Sequence, residues 1–311
     1  MNQALRIGRC PAQPADRGGG VTVLKVTAAI IAAALASLAV WVWVQRLRPT
    51  DLLGVAYSAS FADQRRMDVF VPGPNANGVC IVFLHGGGFV SGTRRNWAST
   101  ARHFRDLGYT CACVDYRLAP TFQYPAAVQD ARLAVSFLRA RSGQYRFNPN
   151  EVAVVGSSAG GCLALTLGAL RPNDALGLSA EMRVADTRPQ ALVLECPVST
   201  FRHMDGQGWV SAYLGHKESA SERLYRAASP IDQLHGGVTD ALIVHGSQDG
   251  VIPFAQSEAL DHRVRETGGC SELIRLQGVG HAFGGGVSTP AQRQTNDAID
   301  RFLKRRFFLG L

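Results

Sequence analysis

Two patterns of hydrophobic and polar positions alternate along most of the chain. Short apolar runs of strand length recur, and longer segments with helical spacing separate them. The predicted strands are 79–84, 109–114, 152–155, 191–196, 241–244 and 271–276. The predicted helices are 97–107, 126–141, 159–170, 253–266 and 290–307. This alternation predicts an α/β fold in which helices cover both faces of a mostly parallel sheet.

Two further segments complete the predicted domain, which spans 54–311. Residues 54–58 and 65–71 alternate as strands around a polar turn and predict an opening hairpin, which brings the sheet to about eight strands. The one long interruption, 197–239, carries helical spacing near 208–214 and 221–227. We interpret 197–239 as a small cap inserted between two strands.

The N-terminal region has a different pattern. Residues 1–25 are basic and rich in Gly and Pro, which predicts a disordered leader, whereas 26–44 contain no charge. As a helix, 26–44 would cross a hydrocarbon core of about 30 Å, and Trp41 and Trp43 stand where interfacial aromatics belong. We interpret the segment as an uncleaved transmembrane signal anchor. A cleavable signal peptide is the alternative, because Ala34-Leu35-Ala36 resembles a cleavage site.

The positive charge is concentrated beside this apolar segment. The chain carries a formal net charge of +8, and residues 1–48 supply six basic side chains against one acidic side chain, leaving +3 for the rest. The basic leader predicts a cytoplasmic N-terminus and a large domain on the extracytoplasmic side, periplasmic or secretory. The folded part has no basic stripe with interleaved aromatics, so no nucleic-acid partner is predicted. The oligomeric state stays open.

Seven cysteines, an odd number, show neither a CxxC nor the paired spacing of zinc ligands, and no metal site is predicted. Five stand in apolar runs, where a free cysteine usually acts as a small buried hydrophobe: Cys80, Cys111, Cys113, Cys162 and Cys196. In an oxidising compartment a disulfide stays open, without assignable partners.

Candidate chemistry lies where strands end, since reactive groups in open α/β sheets follow the carboxyl ends of the strands. Gly156, Ser158 and Gly160 fit the G-x-S-x-G nucleophile elbow, with Ser158 rather than Ser157 at the required spacing. Asp249 follows the strand 241–244.

A histidine follows the last predicted strand. His281 comes after 271–276 and is the only one of the eight histidines that follows a strand after both Ser158 and Asp249. The order Ser…Asp…His predicts a nucleophile, an orienting acid and a general base. Glu195 and Asp240 remain alternative acids.

A glycine run follows the first predicted parallel strand. His85-Gly86-Gly87-Gly88-Phe89 would expose backbone N–H groups that could cradle a negative oxygen.

Over roughly 54–308, the sequence resembles the α/β-hydrolase superfamily, and within it the carboxylesterases of the hormone-sensitive-lipase-like and feruloyl-esterase-like (BD-FAE) groups. The motifs that carry the resemblance are His85-Gly86-Gly87-Gly88-Phe89, Asp115-Tyr116-Arg117-Leu118-Ala119-Pro120, Gly156-Ser157-Ser158-Ala159-Gly160-Gly161, Ala228-Ser229-Pro230, His245-Gly246-Ser247-Gln248-Asp249 with Val251 and Pro253, and Gly280-His281-Ala282-Phe283.

The resemblance implies a role for each matching position. Ser158 would be the nucleophile, His281 the general base and Asp249 the residue that orients it. An oxyanion hole would be formed by the N–H groups of Gly87, Gly88 and Ala159. Three structural residues would help to hold the glycine loop: His85, Asp115 and Arg117. The chain departs from the hormone-sensitive-lipase-like pattern at Ser157, where that group usually has Asp. That group also builds much of its cap from an N-terminal helical extension, whereas here the predicted membrane segment runs almost directly into the first predicted strand.

The sequence therefore predicts a serine hydrolase that cleaves small-molecule carboxylic esters through an acyl-enzyme and requires no metal or organic cofactor. Five aromatic residues are candidates for lining an acyl or alcohol pocket: Phe89, Trp97, Phe201, Trp209 and Tyr213. Two alternatives stay open, a peptidase, amidase or thioesterase of the same fold and a non-catalytic, membrane-tethered binding protein.

Overall fold

The computed structural model describes residues 18–46, 48–204, 206–236, 239–281 and 283–309. The chain divides into two units, 1–48 and 49–311. The first contains helix α1 (Gly18–Arg46). Residues 18–25 are therefore helical rather than a disordered leader, because apolar residues from Val21 onward continue the helical segment. Residues 1–17 lie outside the described residues.

The predicted membrane anchor is not supported. Side chains of α1 are described for 25–41. Within the described part of the chain, no helix is both long enough and apolar enough to cross a membrane. The extracytoplasmic location of the second unit stays a prediction.

A single eight-stranded sheet organises the second unit. Its strands are β1 (Thr50–Ala56), β2 (Arg66–Val71), β3 (Gly78–Leu84), β4 (Thr110–Val114), β5 (Phe147–Ser157), β6 (Ala191–Glu195), β7 (Ala241–Gly246) and β8 (Ser271–Leu276), in the spatial order β1-β2-β4-β3-β5-β6-β7-β8. Strand β2 pairs antiparallel with β1 and β4, and every other pairing in this sheet is parallel. The prediction of about eight mostly parallel strands is confirmed.

Helices cover both faces of the sheet. They are α2 (Ala98–Asp106), α3 (Ala126–Arg139), α4 (Ser142–Tyr145), α5 (Ala159–Ala169), α6 (Gly208–Leu214), α7 (Glu222–Ala228), α8 (Ala255–Glu266) and α9 (Pro290–Lys304). Alternate residues of β3 point into separate apolar cores, with Val82 and Leu84 in one and Ile81 and Phe83 in the other. Burial on both faces explains why this strand reads as a continuous apolar run.

Two features of the fold differ from the predictions, and contacts between residues distant in the sequence account for both. Strand β1 begins at Thr50, before the predicted strand 54–58, and pairs with β2. A second irregular stretch, 170–190, connects α5 to β6. Arg132 and Arg139 of α3 hold it by donating to backbone carbonyls, including those of Asp174 (2.8 Å) and Asp186 (2.7 Å). The segment 197–239 is therefore not the only long interruption.

The inserted segment, 197–239, carries α6, α7 and the 3-10 turns Glu218–Ala220 and Pro230–Gln233, with 205, 237 and 238 outside the described residues. Its helices match the predicted positions to within one residue at either end. The assignment of this segment as a cap stays a prediction.

Candidate active site

The turn between β5 and α5 presents Ser158. This residue has φ 55° and ψ −116°, outside the ordinary regions for a side-chain-bearing residue, and its N–H donates to the Glu195 carbonyl (2.8 Å). The tight approach requires Gly160, because a Cβ there would lie 2.1 Å from the Leu84 carbonyl oxygen at the end of β3. The elbow is thus a strained turn locked between neighbouring strands.

The structure brings Ser158, His281 and Asp249 into one hydrogen-bonded chain. His281 Nε2 lies 3.0 Å from Ser158 Oγ, and its Nδ1 lies 2.6 Å from Asp249 Oδ2. Ser158 is 8% exposed, and the Asp249 side chain is buried. The three groups come from loops after β5, β7 and β8, at the sheet edge where the sequence predicted them. Their catalytic roles stay a proposal.

The Asp249 carboxylate is held by several donors at once. Its Oδ1 accepts from the N–H groups of Val251 and Ile252 (both 2.8 Å), and His245 Nε2 lies 3.1 Å from its Oδ2. Burial alone would raise the pKa of Asp249, but the bonds from His245, His281 and the two N–H groups outweigh it and hold that pKa well below its usual range. The carboxylate is therefore ionised whenever His281 could act as a base.

His245, whose role the sequence analysis did not predict, sits at the end of β7. Its ring is fully buried, with Nδ1 2.6 Å from Ser257 Oγ and Nε2 3.0 Å from the Ile252 carbonyl. The sequence does place a histidine four residues before Asp249 and one residue before the end of β7. Its position inside an apolar strand was the signal that this ring is buried.

Neither alternative acid reaches His281 in the way Asp249 does. Asp240 precedes β7 and lies 3.5 Å from the Arg306 guanidinium. Glu195 ends β6 and is 1% exposed, and its Oε2 has no hydrogen-bond partner among the described residues. Burial raises the pKa of Glu195 from 4.5 to about 8. Glu195 is therefore a neutral, buried acid at pH 7.

We expect Glu195 to make stability fall as pH rises. Its pKa is 4.5 ordinarily and about 8 in the fold. Between these values the folded state keeps a proton that the unfolded chain has lost, so the stabilising proton is fully present below pH 4.5 and its benefit is gone above pH 8. The free energy of unfolding should drop by a few kcal/mol across this window, and Glu195→Gln should flatten the drop. Urea unfolding at stepped pH measures both slopes, with the exposed Glu258→Gln as control. Equal slopes in wild type and Glu195→Gln would contradict this.

The glycine loop after β3 lies beside the elbow, because Leu84 pairs in register with Gly156 of β5. Gly88 has φ 59°, and a Cβ there would lie 2.9 Å from Trp209 Cγ of α6. No described residue accepts a hydrogen bond from the N–H groups of Gly87 or Gly88. Ala159 begins α5, where the first N–H groups of a helix lack helical acceptors. The backbone N–H groups of Gly87, Gly88 and Ala159 are thus three donors that the hydrogen bonds of the described fold do not use.

Two of the three predicted supporting residues hold the glycine loop or the chain that follows it. His85 stacks on Tyr116 (ring centroids 4.1 Å apart), whose hydroxyl donates to the His85 carbonyl (2.7 Å). Asp115 accepts from the backbone N–H of Arg94 (2.6 Å) and pairs with its guanidinium.

The hydrogen bonds described for Arg117 go to α3 rather than to the glycine loop. Arg117 binds Asp130 of α3 through its backbone N–H (2.8 Å) and its guanidinium (2.9 Å). The buried Asp130 carboxylate, 13 positions away, takes Arg117 as a charged partner beside Arg65. The supporting role of Arg117 at the glycine loop stays a prediction.

Four of the five aromatic candidates cluster above the glycine loop. Phe89 stacks on Tyr213 with centroids 3.7 Å apart, and its ring lies 6.0 Å from Phe201 and 6.2 Å from Trp209. Trp97 is separate: it packs on Phe83 in the core of the opposite sheet face. Trp97 was therefore wrong as a pocket candidate, because its ring is buried in the core on the other side of the sheet from the four clustered rings.

Topology and side-chain geometry together define an α/β-hydrolase fold with a Ser-His-Asp arrangement at its strand ends. The chain belongs to the BD-FAE family, whose model matches residues 67–264.

Comparisons with individual proteins agree with this class. The chain is 27% identical over 238 residues to esterase LipQ of Mycobacterium tuberculosis, covering 74% of this chain and 56% of LipQ. It is 26% identical to an arylesterase of Saccharolobus solfataricus, covering 77% of this chain and 78% of that one. The chain spans about half the length of its mycobacterial relatives LipQ and LipC (56% and 55%).

Solved structures share the fold. A truncated carbohydrate esterase from gut microbiota superposes with a TM-score of 0.73 at 20% identity, covering 84% of this chain and 97% of that one. Esterase Est2 of Thermogutta terrifontis superposes with a TM-score of 0.69 at 22% identity, covering 85% and 97%. These matches confirm the predicted α/β-hydrolase fold.

Proposed function

We propose that this protein is a serine hydrolase that cleaves carboxylic esters of small molecules. The observation that carries the proposal is the unbroken hydrogen-bonded chain from Asp249 through His281 to Ser158, beside backbone donors at the head of α5. The names of its relatives, esterase LipQ and an arylesterase, support the same reaction class.

In the proposed reaction, His281 Nε2 removes the Ser158 hydroxyl proton as Oγ attacks the ester carbonyl. An unassisted serine hydroxyl is a weak nucleophile at neutral pH, and an adjacent base activates it. The ionised Asp249 keeps the imidazole proton on Nδ1, leaving Nε2 free to accept, and it stabilises the imidazolium that forms. His281 then returns the proton to the departing alcohol.

The negative carbonyl oxygen of the tetrahedral intermediate would meet the N–H groups of Gly87, Gly88 and Ala159. Such donors act most strongly where charge develops, and loss of one typically raises the barrier by about 3–4 kcal/mol. Water then attacks the acyl-enzyme with the same base, which releases the acid and restores Ser158. Every step uses groups of this chain.

Trp209 would form part of one wall of the substrate pocket, backed by the buried rings of Phe89, Phe201 and Tyr213. Trp209 is half-buried and packs over Gly88, one of the proposed donors. An apolar wall at this place favours an acyl or alcohol group of apolar character.

The test uses the full-length chain with p-nitrophenyl esters of increasing acyl length and a fluorophosphonate probe. We expect rapid ester turnover, labelling of one serine per chain, and loss of turnover in proportion to labelling. A protein that is folded by circular dichroism but neither turns over any ester nor reacts with the probe would refute the proposal and favour the binding-protein alternative.

A further inference from the structure

Three neighbouring parallel strands are each followed by a residue whose side chain can bind a metal ion. Cys196 follows β6, Asp249 follows β7, and His281 follows β8. One ligand atom from each, the Cys196 Sγ, an Asp249 carboxylate oxygen and a His281 ring nitrogen, lie within 4.8 Å of one another. In the residues that the structure describes, this is the one such group of three.

Cys196 is held in place at a conformational cost. Its φ is 38°, in the left-handed region that residues with a side chain rarely adopt. Its N–H donates to the Val244 carbonyl (2.8 Å), and its Sγ lies 3.6 Å from the His281 carbonyl and 3.8 Å from Ser157 Oγ. No step of the proposed ester hydrolysis uses this thiol.

We propose that Cys196, Asp249 and His281 form an inhibitory site for a thiophilic divalent cation, represented by Zn²⁺. Thiolate sulfur, imidazole nitrogen and carboxylate oxygen are the donors that Zn²⁺ takes in proteins, at about 2.3, 2.0 and 2.0 Å. Tetrahedral bonds of these lengths separate the ligand atoms by roughly 3.3–3.6 Å. Shifts on the order of 1 Å, within the reach of side-chain rotation, would close the present arrangement around the ion, with water in the fourth position.

The carboxylate is already oriented for this role. Asp249 Oδ1 is fixed by the N–H groups of Val251 and Ile252, which turns Oδ2 towards His281. The Asp249 and Cys196 side chains are buried, and His281 is 22% exposed. The cation would therefore enter from the His281 side, and its binding should be slow.

Metal binding rearranges two protons. The Cys196 thiol, whose pKa is raised by burial, releases its proton to solvent as the metal–sulfur bond forms. The metal also takes the place of the proton on His281 Nδ1, and that proton moves to Nε2. With Nε2 protonated, His281 cannot accept the Ser158 proton, so bound metal and proposed ester hydrolysis exclude each other. The inhibitory consequence rests on the proposed function, whereas the binding site does not.

The binding arm of the experiment uses metal-stripped full-length protein titrated with Co²⁺, which reports thiolate ligation by charge-transfer absorbance. We expect one equivalent of Co²⁺ to give this band in wild type, in Ser158→Ala and in Cys270→Ala, the matched control that removes an exposed thiol. In Cys196→Ala the band should be lost and Co²⁺ affinity should fall at least tenfold. Zn²⁺ should displace Co²⁺ with loss of the band. A band retained in Cys196→Ala, or absent from wild type, would overturn the site.

The activity arm measures Zn²⁺ inhibition of p-nitrophenyl acetate hydrolysis, each variant relative to its own metal-free rate. Wild type and Cys270→Ala should be inhibited with a slow onset and recover with a chelator, whereas Cys196→Ala should need at least ten times more Zn²⁺. If Cys196→Ala does not fold, Cys196→Ser is measured in its place. Equal Zn²⁺ sensitivity of wild type and the Cys196 variant would overturn the inhibitory role. If wild type hydrolysed no ester, the proposed function would fail while the Co²⁺ result still decided the site.

Discussion

Ser158→Ala is expected to lower kcat for ester hydrolysis by a factor of about 10⁴ or more, with little change in KM. The substitution removes the atom that attacks the carbonyl but leaves the glycine loop and the aromatic wall in place. Binding and oxyanion stabilisation alone sustain only a small residual rate above the uncatalysed reaction. Steady-state kinetics with p-nitrophenyl acetate, on enzyme freed of wild-type contamination, measures the loss.

Ser157→Ala is the matched control, one residue earlier at the end of β5. The Ser157 hydroxyl lies 3.8 Å from Cys196 Sγ, whereas Ser158 Oγ is the serine oxygen bonded to His281. Both substitutions remove one hydroxyl from the same turn, so a shared folding defect would lower both activities alike. We expect Ser157→Ala to keep kcat within about tenfold of wild type, as expected for a group outside the proton-transfer chain. Similar losses in the two variants would count against Ser158 as the nucleophile.

Asp249→Asn is expected to lower kcat by about 10⁴ at neutral pH. The amide preserves the volume of the side chain and can still accept the N–H groups of Val251 and Ile252 at its oxygen. It removes the negative charge that stabilises the imidazolium, and it favours the His281 tautomer with the proton on Nε2, which cannot accept from Ser158. Steady-state kinetics should show the loss in kcat, with thermal unfolding as a check on folding.

Asp240→Asn and Glu195→Gln are the controls, since the sequence left both residues open as the acid. Asp240 faces Arg306 near the surface (3.5 Å), and Glu195 is buried and protonated at pH 7. At pH 7 each amide should retain most of the activity. If Glu195→Gln abolished turnover and Asp249→Asn preserved it, the acid would have to be reassigned.

The parallel core of the fold was predictable from the sequence because strands buried on both faces appear as continuous apolar runs. Strand β8 has the predicted bounds, 271–276, and β3 begins one residue before the predicted strand. The same property located the candidate site, because parallel strands bring the loops after their carboxyl ends to a single edge of the sheet. Ser158, Asp249 and His281 could therefore be selected without an alignment.

Sequence patterns could not supply the partner of each side chain. Trp97 and Trp209 are both aromatic residues near loops, yet they pack in opposite cores. Arg117 binds a carboxylate on α3 rather than the glycine loop beside it. Local spacing fixes the direction of a strand end but carries no information on which distant charge or ring meets it.

The contact of Trp209 with Gly88 has a consequence for protein engineering. A Cβ on Gly88 would come within 2.9 Å of the indole, so a ring on the wall of the proposed pocket also limits the backbone of the proposed donor loop. Trimming the indole to admit bulkier esters would also loosen the peptide units beneath it. We therefore expect substitutions at position 209 to change selectivity and turnover together, so libraries that vary position 209 should vary its neighbours Phe89 and Phe201 with it.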